Sequence, residues 1–462
     1  MLPWVAGRIL PSLTSPFRRA KIIQMVKFSV AGLRGVVGED LKMGDFVGLS
    51  QAFARFMEAK EVLLARDART SGAKIYDAVK LGLIRLGVKV LEANMVTTPT
   101  AVFGTRAFDA DAGLVITASH NPADHNGLKF LESGRSLGPA KVKEFINYVE
   151  TKKSDQPPPL NHGEAKEVEA LLSHKNAIKS QVDASPKEPR LRVGLDPVNG
   201  AAGPEARMLL EELGCEVHAV NFEPNGRFGR GSEPVSENLQ GLRSLVKEKG
   251  LDVGFAFDPD GDRLAFVDER GRAPGEEYTV PLSARWALER RKGDIVVNLS
   301  TSRLIEQVAE EAGVAVHRTP VGEAHVVDRL LEIEGCCGGE GNGGFILPRV
   351  NATRDGLLAM AVLVQLKRKY GSLAEMVDAL PTYHRHKEKF EMEWSERLAE
   401  MVSSFFPSAR KDTRDGLWLA EEDFWLHLRP SNTEPVVRLI LEADSRERAD
   451  KILKRVRRVC VG

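Results

Sequence analysis

The sequence predicts an α/β protein: three mixed α/β domains followed by a smaller α+β domain at the C-terminus. Segments with apolar residues at helical spacing alternate with short apolar runs of strand length, the pattern of crossover units on a parallel or mixed sheet. This alternation breaks at a polar, proline-rich stretch, residues 152–159 (KKSDQPPP), and then restarts. The length of 462 residues corresponds to about three domains, or four small ones, at roughly 150 residues each.

In the first unit, residues 45–60 (DFVGLSQAFARFMEAK) carry a helical apolar stripe and residues 61–65 (EVLLA) a buried-strand run. Residues 73–87 read as a second amphipathic helix, started by Ser71 and Gly72, with VKVLEAN and then GLVIT (residues 113–117) as strands. Beyond the proline-rich stretch come a charged helix and a second break, SPKEP at residues 185–189. Strand LRVGLD (residues 191–196) opens the second unit and its helix spans residues 204–213. The third unit starts near Arg272, with a helix over 279–291, strand DIVVNLS and a helix over 303–312. After about Ser372 the pattern changes to one helix, strands over 417–428 and 436–441 around a polar loop, and a final helix over 445–459. The expected boundaries are an extension at 1–24 and domains at 25–155, 156–271, 272–372 and 373–462.

The 65 Lys plus Arg equal the 65 Asp plus Glu, which argues against a general nucleic-acid or anionic-membrane binder but leaves room for a local basic pocket. Hydrophobic residues at 42% and charged ones at 28% exclude disorder and fibrous repeats. No run approaches the roughly 18 apolar residues of a membrane span. Cys215, Cys336, Cys337 and Cys460 show no CxxC spacing, so we expect reduced thiols and a cytoplasmic location. The first 38 residues hold six bases and no acid, but Pro3, Arg8, Pro11 and Pro16 break any signal-type core. We read an extension ahead of the domain, with Met25 as the natural start.

Four loops carry the candidate chemistry. In TASHNPADHNGLKF (residues 117–130), Ser119 leaves a strand into a Gly- and Asn-rich loop, followed by His120 and Lys129. We expect this serine to be exposed, as a nucleophile or phosphoryl carrier, against the alternative of a helix N-cap. In DPDGDR (residues 258–263), Asp258, Asp260 and Asp262 alternate across a turn between apolar runs and suit one hard cation. An EF-hand is excluded because the sixth position is Arg263 and the flanks are strands; Mg²⁺ fits better. GGEGNGG (residues 338–344) contains GxGxxG by letter, but a strand follows instead of a helix, which removes the dinucleotide reading. Its glycines let backbone approach a polar ligand, with Glu340 and Asn342 offered to hydroxyls, or form a flexible turn. RPSNTEPVVR (residues 429–438) is an anion cradle or an Asx/Ser turn.

Together, and in this order, the four loops resemble those of the α-D-phosphohexomutase superfamily, which comprises phosphoglucomutase, phosphomannomutase and phosphoglucosamine mutase, in its archaeal-type form. The resemblance runs from about Met25 to the C-terminus. It implies four domains around a central cleft, and an isomerase interconverting hexose 6-phosphate and hexose 1-phosphate through a hexose 1,6-bisphosphate that is both intermediate and activator. Ser119 would carry the phosphoryl group and, with Asp258, Asp260 and Asp262, hold Mg²⁺. His120, Lys129 and Arg34 would assist at the reacting oxygen, with Arg263 beside the metal loop. Glu340 and Asn342 would grip sugar hydroxyls, Glu323 or His325 (in TPVGEAH) would face the sugar, and Arg429, Ser431, Asn432, Thr433 and Arg438 would hold the second phosphate. FSVAGLRG (residues 28–35) is similar to the family's N-terminal signature but departs from it at Ser29, Val30 and Ala31, so that Arg34 is the contact that carries over. RDARTSG (residues 66–72), VNGAAG (198–203) and RDG (354–356) also match. SNTEP, where many phosphoglucosamine mutases have SGTEP, favours phosphomannose and phosphoglucose over phosphoglucosamine. The expected partners are small sugar phosphates feeding nucleotide-sugar synthesis, without nucleic acid or membrane, on a monomer or homodimer. A Mg-dependent sugar phosphatase and a non-catalytic sugar-phosphate-binding paralogue are the alternatives.

Overall fold

The structure is a computed structural model that describes residues 27–29, 32–151, 163–183, 189–431 and 436–460. The expected extension at 1–24, Asn432 and Thr433 lie outside the described residues.

Three successive sheets repeat one topology. In the first domain the strands Glu61–Arg66, Lys89–Met95, Ala112–Ile116 and His125–Glu132 lie in the spatial order second, first, third, fourth. The first three are parallel and the fourth turns back antiparallel on the third. The second sheet repeats this with Arg192–Asp196, Glu216–Ala219, Val253–Phe257 and Leu264–Val267. The third repeats it with Ile295–Asn298, Val316–Thr319, Cys337–Glu340 and Gly344–Ile346. The turn joining the third strand to the fourth is the serine loop in the first domain, the aspartate loop in the second and the Gly-rich loop in the third. Three motifs far apart in sequence therefore occupy one topological position.

The first sheet is longer at both edges. Gly32–Val36 pairs with His125–Glu132, and Ala165–Glu167 adds in parallel to Lys89–Met95. The charged helix expected between the two breaks is Ala170–Lys179, and this strand precedes it; its exposed side chains carry no apolar alternation, and it is held by backbone pairing. The fourth sheet is antiparallel, in the order His384–Phe390, Val437–Ala443, Phe424–Pro430, Leu417–Ala420, Arg410–Asp412. Residues 417–428, read from sequence as one strand, form two strands of a hairpin because Glu421, Glu422 and Asp423 turn out of the sheet.

The helix Gly356–Tyr370 (GLLAMAVLVQLKRKY) is apolar on all sides over most of its length, so it is buried from Gly356 to Lys367. It packs on the helices Ala202–Glu212 and Thr279–Leu288, which merges the second and third domains into one continuous core. The first domain has a core on each face of its sheet, and the fourth has its own core, joined to the third through Leu299, Trp418 and Trp425. No described helix is long and apolar enough to cross a membrane. Leu363 lies fully buried in the shared core. Leu363→Ala should therefore cost about 2–5 kcal/mol and shift the urea unfolding of the second and third domains together.

Candidate active site

Asp258, Asp260 and Asp262 are fully buried, and each offers a carboxylate oxygen within 4.8 Å of those of the other two. Gly261 makes the tight turn possible: its φ is +73°, and an added Cβ would come 2.6 Å from Thr97 Cγ2. Each aspartate has one oxygen engaged by the protein. Arg263 N donates to Asp258 Oδ1 (3.1 Å), Lys129 Nζ and Thr98 Oγ1 to Asp260 Oδ2 (both 2.7 Å), and Arg354 Nη2 and Lys129 Nζ to Asp262 Oδ2 (2.6 and 3.2 Å). The other oxygens, Asp258 Oδ2, Asp260 Oδ1 and Asp262 Oδ1, are buried without a hydrogen-bond partner; Arg263 Nε stands off from two of them at 3.9 and 3.8 Å. Burying an unsatisfied polar atom costs about 1–3 kcal/mol, and three such oxygens on hard carboxylates fit a divalent cation of the Mg²⁺ type. Burial and the charges of Asp262 and Asp260 push the Asp258 carboxyl well above its usual range. Burial also opposes ionisation of Asp262, but Arg354, Lys129 and Arg263 outweigh it and hold the group well below that range.

Ser119 follows the strand Ala112–Ile116 and adopts a left-handed conformation, φ +51°. It is fully buried, which corrects the exposure expected from its place in a loop. The cause is Arg69, itself buried, which draws the loop inward through its backbone carbonyls. Its guanidinium donates to the carbonyls of Ser119 and Asn121 (both 2.7 Å), His125 (2.9 Å) and Pro122, while Nε bonds Asp67 (3.1 Å). Asp67 also accepts Thr117 Oγ1 at 2.6 Å, and Thr117 Oγ1 accepts Ser119 N at 2.9 Å. Ser119 Oγ lies 3.4 Å from His120 Nδ1, which accepts from Arg263 Nη2 at 2.8 Å. Burial, Arg263 and Arg34 drive the His120 ring well below its usual range, so it is neutral at physiological pH. Lys129 behaves in the opposite way: burial lowers it, but Asp260 and Asp262 more than compensate and keep it a cation.

Arg354 joins two of the loops. Its guanidinium donates to Asp262 Oδ2, to Glu340 Oε2 (2.7 Å) and to Glu323 Oε2 (3.0 Å). Glu340 Oε1 accepts Asn298 Nδ2 (2.7 Å) and Gly322 N (3.0 Å). On the other side, Asp415 links domains: Oδ1 accepts Arg429 Nε (3.1 Å) and Oδ2 accepts Val321 N (2.9 Å).

A cavity of about 530 Å³ opens over these groups. All four domains contribute to its wall: Arg34, His120 and Lys129 from the first, Arg263 from the second, Glu323, Glu340 and Asn342 from the third, Arg429 and Arg438 from the fourth. Ser119 and the three aspartates lie in the layer beneath Lys129, His120 and Arg263, with which they bond. His325 and Ser431 are not among the wall residues described. Cations, among them Arg34, Lys129, Arg429 and Arg438, and carboxylates, Glu323 and Glu340, share this wall, which suits a ligand with both phosphates and hydroxyls. The residues that residue-level reasoning passed over are Arg69, Arg354, Thr98 and Asp415. The first two sit in the marked motifs RDARTSG and RDG, which gave a signal without a role.

Family models for phosphoglucomutase/phosphomannomutase domains match the chain four times in succession: domain I at residues 25–156, domain II at 169–271, domain III at 275–383 and the C-terminal domain at 386–459. A phosphoglucomutase/phosphomannomutase of Thermococcus kodakarensis is 36% identical over 92% of this chain and 96% of its own. A probable phosphoglucosamine mutase of Pyrococcus abyssi is 32% identical over 94% of this chain and 97% of its own. Among solved structures, a phosphoglucomutase/phosphomannomutase family protein of Burkholderia thailandensis superposes with a TM-score of 0.83 at 26% identity, covering 94% of this chain and 96% of that one.

If the orphaned oxygens hold a cation, millimolar Mg²⁺ should raise the thermal unfolding midpoint of the purified chain. Asp260→Asn, which removes one of the three carboxylate charges, should reduce that rise at the same Mg²⁺ concentration at least several-fold.

Proposed function

The chain belongs to the phosphoglucomutase/phosphomannomutase family of phosphohexomutases, isomerases that act by phosphotransfer, and we propose that it interconverts the 6- and 1-phosphates of glucose and mannose. The observation that carries this reading is the position of Arg354, whose one guanidinium ties the aspartate loop to Glu340 and Glu323. A phosphoryl-transfer centre and a hydroxyl-binding wall are thereby held at a fixed separation.

In this reading Ser119 carries the phosphoryl group at rest. A sugar hydroxyl attacks its phosphorus, the P–Oγ bond breaks, and the proton lost by the sugar ends on the serine oxygen, giving a hexose 1,6-bisphosphate. The other phosphate then returns to Ser119 after the sugar has exchanged ends. Asp258, Asp260 and Asp262 hold Mg²⁺, which supplies positive charge to the oxygens of the transferring group. Lys129 adds a fixed cation there, and neutral His120 donates or accepts a hydrogen bond without competing for the phosphate. Glu340, Asn342 and Glu323 face the sugar, while Arg429 and Arg438 hold the phosphate that is not reacting. The relatives named above include both glucose/mannose and glucosamine enzymes, and SNTEP favours the former; the proposed setting is cytoplasmic sugar-phosphate metabolism.

A coupled assay with the 1-phosphates of glucose, mannose and glucosamine tests this. Glucose and mannose phosphates should isomerise fastest, and only with Mg²⁺ and a phosphorylated enzyme; no isomerisation of any of the three contradicts the proposal. Ser119→Ala should lower kcat by at least about three orders of magnitude.

A further inference from the structure

A buried hydrogen-bonded chain crosses the junction of the first three domains apart from the cavity wall. Thr97 and Thr100 lie at the start of the helix Thr98–Ala107, Glu205 on Ala202–Glu212, His174 on Ala170–Lys179, and Asp355 caps Gly356–Tyr370. None of the five is more than 4% exposed. Glu205 accepts Thr97 N (2.7 Å), Thr100 Oγ1 (2.5 Å) and Thr97 Oγ1 (3.0 Å). Thr100 Oγ1 is 2.9 Å from His174 Nδ1, and His174 Nε2 is 2.7 Å from Asp355 Oδ2. Asp355 also accepts Asn351 Nδ2 (3.1 Å) and Leu358 N (3.0 Å). The Phe103 ring stacks on His174, centroids 5.1 Å apart, so the charged groups facing the imidazole are Asp355 directly and Glu205 through Thr100.

Counting hydrogens shows what this chain contains. Asp355 accepts on both oxygens, so His174 Nε2 carries a hydrogen. Two oxygens 2.5 Å apart, as in Thr100 and Glu205, need a hydrogen between them. If it is the hydroxyl hydrogen of Thr100, then His174 Nδ1 must also carry one and the ring is an imidazolium. If it belongs to Glu205, that carboxyl is protonated and Thr100 donates to Nδ1. Either way the chain holds one proton more than ionised Glu205, ionised Asp355 and a neutral imidazole would supply. Burial drives the Glu205 carboxyl up, in the direction that retains this proton. The neighbours of the chain reach the reacting centre: Thr98 donates from Oγ1 and N to the side chain and carbonyl of Asp260 (2.7 and 2.8 Å), and Arg354, next to Asp355, bonds Asp262.

We propose that Glu205, Thr100, His174 and Asp355 are positioning residues: a strut with one shared proton locks three domains together and, through Thr98 and Arg354, sets the aspartate loop. The proton count is independent of the reaction, whereas the effect on turnover rests on the mutase reading. The sign of the pH dependence follows from linkage. Unfolded Glu and His together release this proton as pH rises through about 6.5, so over the range in which the unfolded Glu is ionised the strut's stabilisation is complete below that pH and declines above it. The unfolding equilibrium constant then rises by up to about tenfold per pH unit until the strut itself titrates.

Urea unfolding of the full chain between pH 6 and pH 9 reads this directly. In Glu205→Gln an amide N–H replaces the shared proton, so the excess alkaline slope of the wild type should disappear; Thr100→Val, which deletes the bridge, should remove it as well. Equal slopes in wild type and both variants would overturn the strut. In the mutase assay Thr100→Val should lower kcat about tenfold or more and raise the Mg²⁺ requirement, with KM for the hexose phosphate within about twofold and Thr100→Ser restoring both. Wild-type kcat and Mg²⁺ requirement in Thr100→Val would overturn the positioning role. A wild type inactive on every hexose phosphate would refute the functional proposal, and the unfolding slopes would still decide on the strut.

Discussion

Three carboxylates buried side by side are the constraint from which the arrangement of this protein follows. Asp258, Asp260 and Asp262 have no exposure to water, and uncompensated buried charge is among the most costly features a fold can hold. Compensation comes from a different domain each time: Lys129 from the first, Arg263 from the second, Arg354 from the third. Removing any one of these domains would leave the cluster undercharged, so domain assembly and site assembly are one process. The compensation also stops short, because three oxygens remain without donors. That residual deficit fits the cluster to a divalent cation, beyond its part in the structural ion-pair network.

The repeated topology explains how such a cluster can be met from several sides. Each of the first three sheets ends its parallel run and turns back through one loop, and that loop carries the serine, the aspartates or Glu340 with Asn342. Arg354 spans from the second loop to the third, and the fourth domain closes the ring through Asp415, which holds Arg429 with one oxygen and the backbone of Val321 with the other. A path of direct hydrogen bonds and adjacent residues thus runs from Arg429 in the fourth domain to the aspartate loop, by way of Asp415, Val321, Gly322, Glu340, Arg354 and Asp262. The overall charge balance of 65 against 65 conceals this concentration of paired charges around one cavity.

Much of this was legible in the sequence because its signals are local. Helix and strand periodicity marked the α/β units, alternate aspartates in a turn marked a loop suited to a cation, and the Gly-rich loop marked Glu340 and Asn342, which fall on the cavity wall. What was not legible depends on contacts between distant segments. Arg69 and Arg354 are visible as letters of short motifs, but their roles are set by partners about 50 and 92 residues away. The burial of Ser119 runs against the general rule that loops lie at the surface, because one guanidinium gathers four loop carbonyls. The strand Ala165–Glu167 has no apolar alternation to reveal it, and the hairpin within residues 417–428 is set by three consecutive acids too polar to remain in a sheet. The strut through His174 is written in scattered single residues, of which Asp355 alone lies in a marked motif, RDG.

The central claim is that Ser119 exchanges a phosphoryl group with a sugar held between the aspartate loop and Glu340. The most direct measurement is a chase of enzyme carrying a radiolabelled phosphoryl group on Ser119 with unlabelled hexose 6-phosphate and Mg²⁺ in a single turnover. The account predicts that label leaves the protein and appears in hexose bisphosphate and hexose monophosphate. Label that stays on the protein, or that appears only as inorganic phosphate, would contradict it.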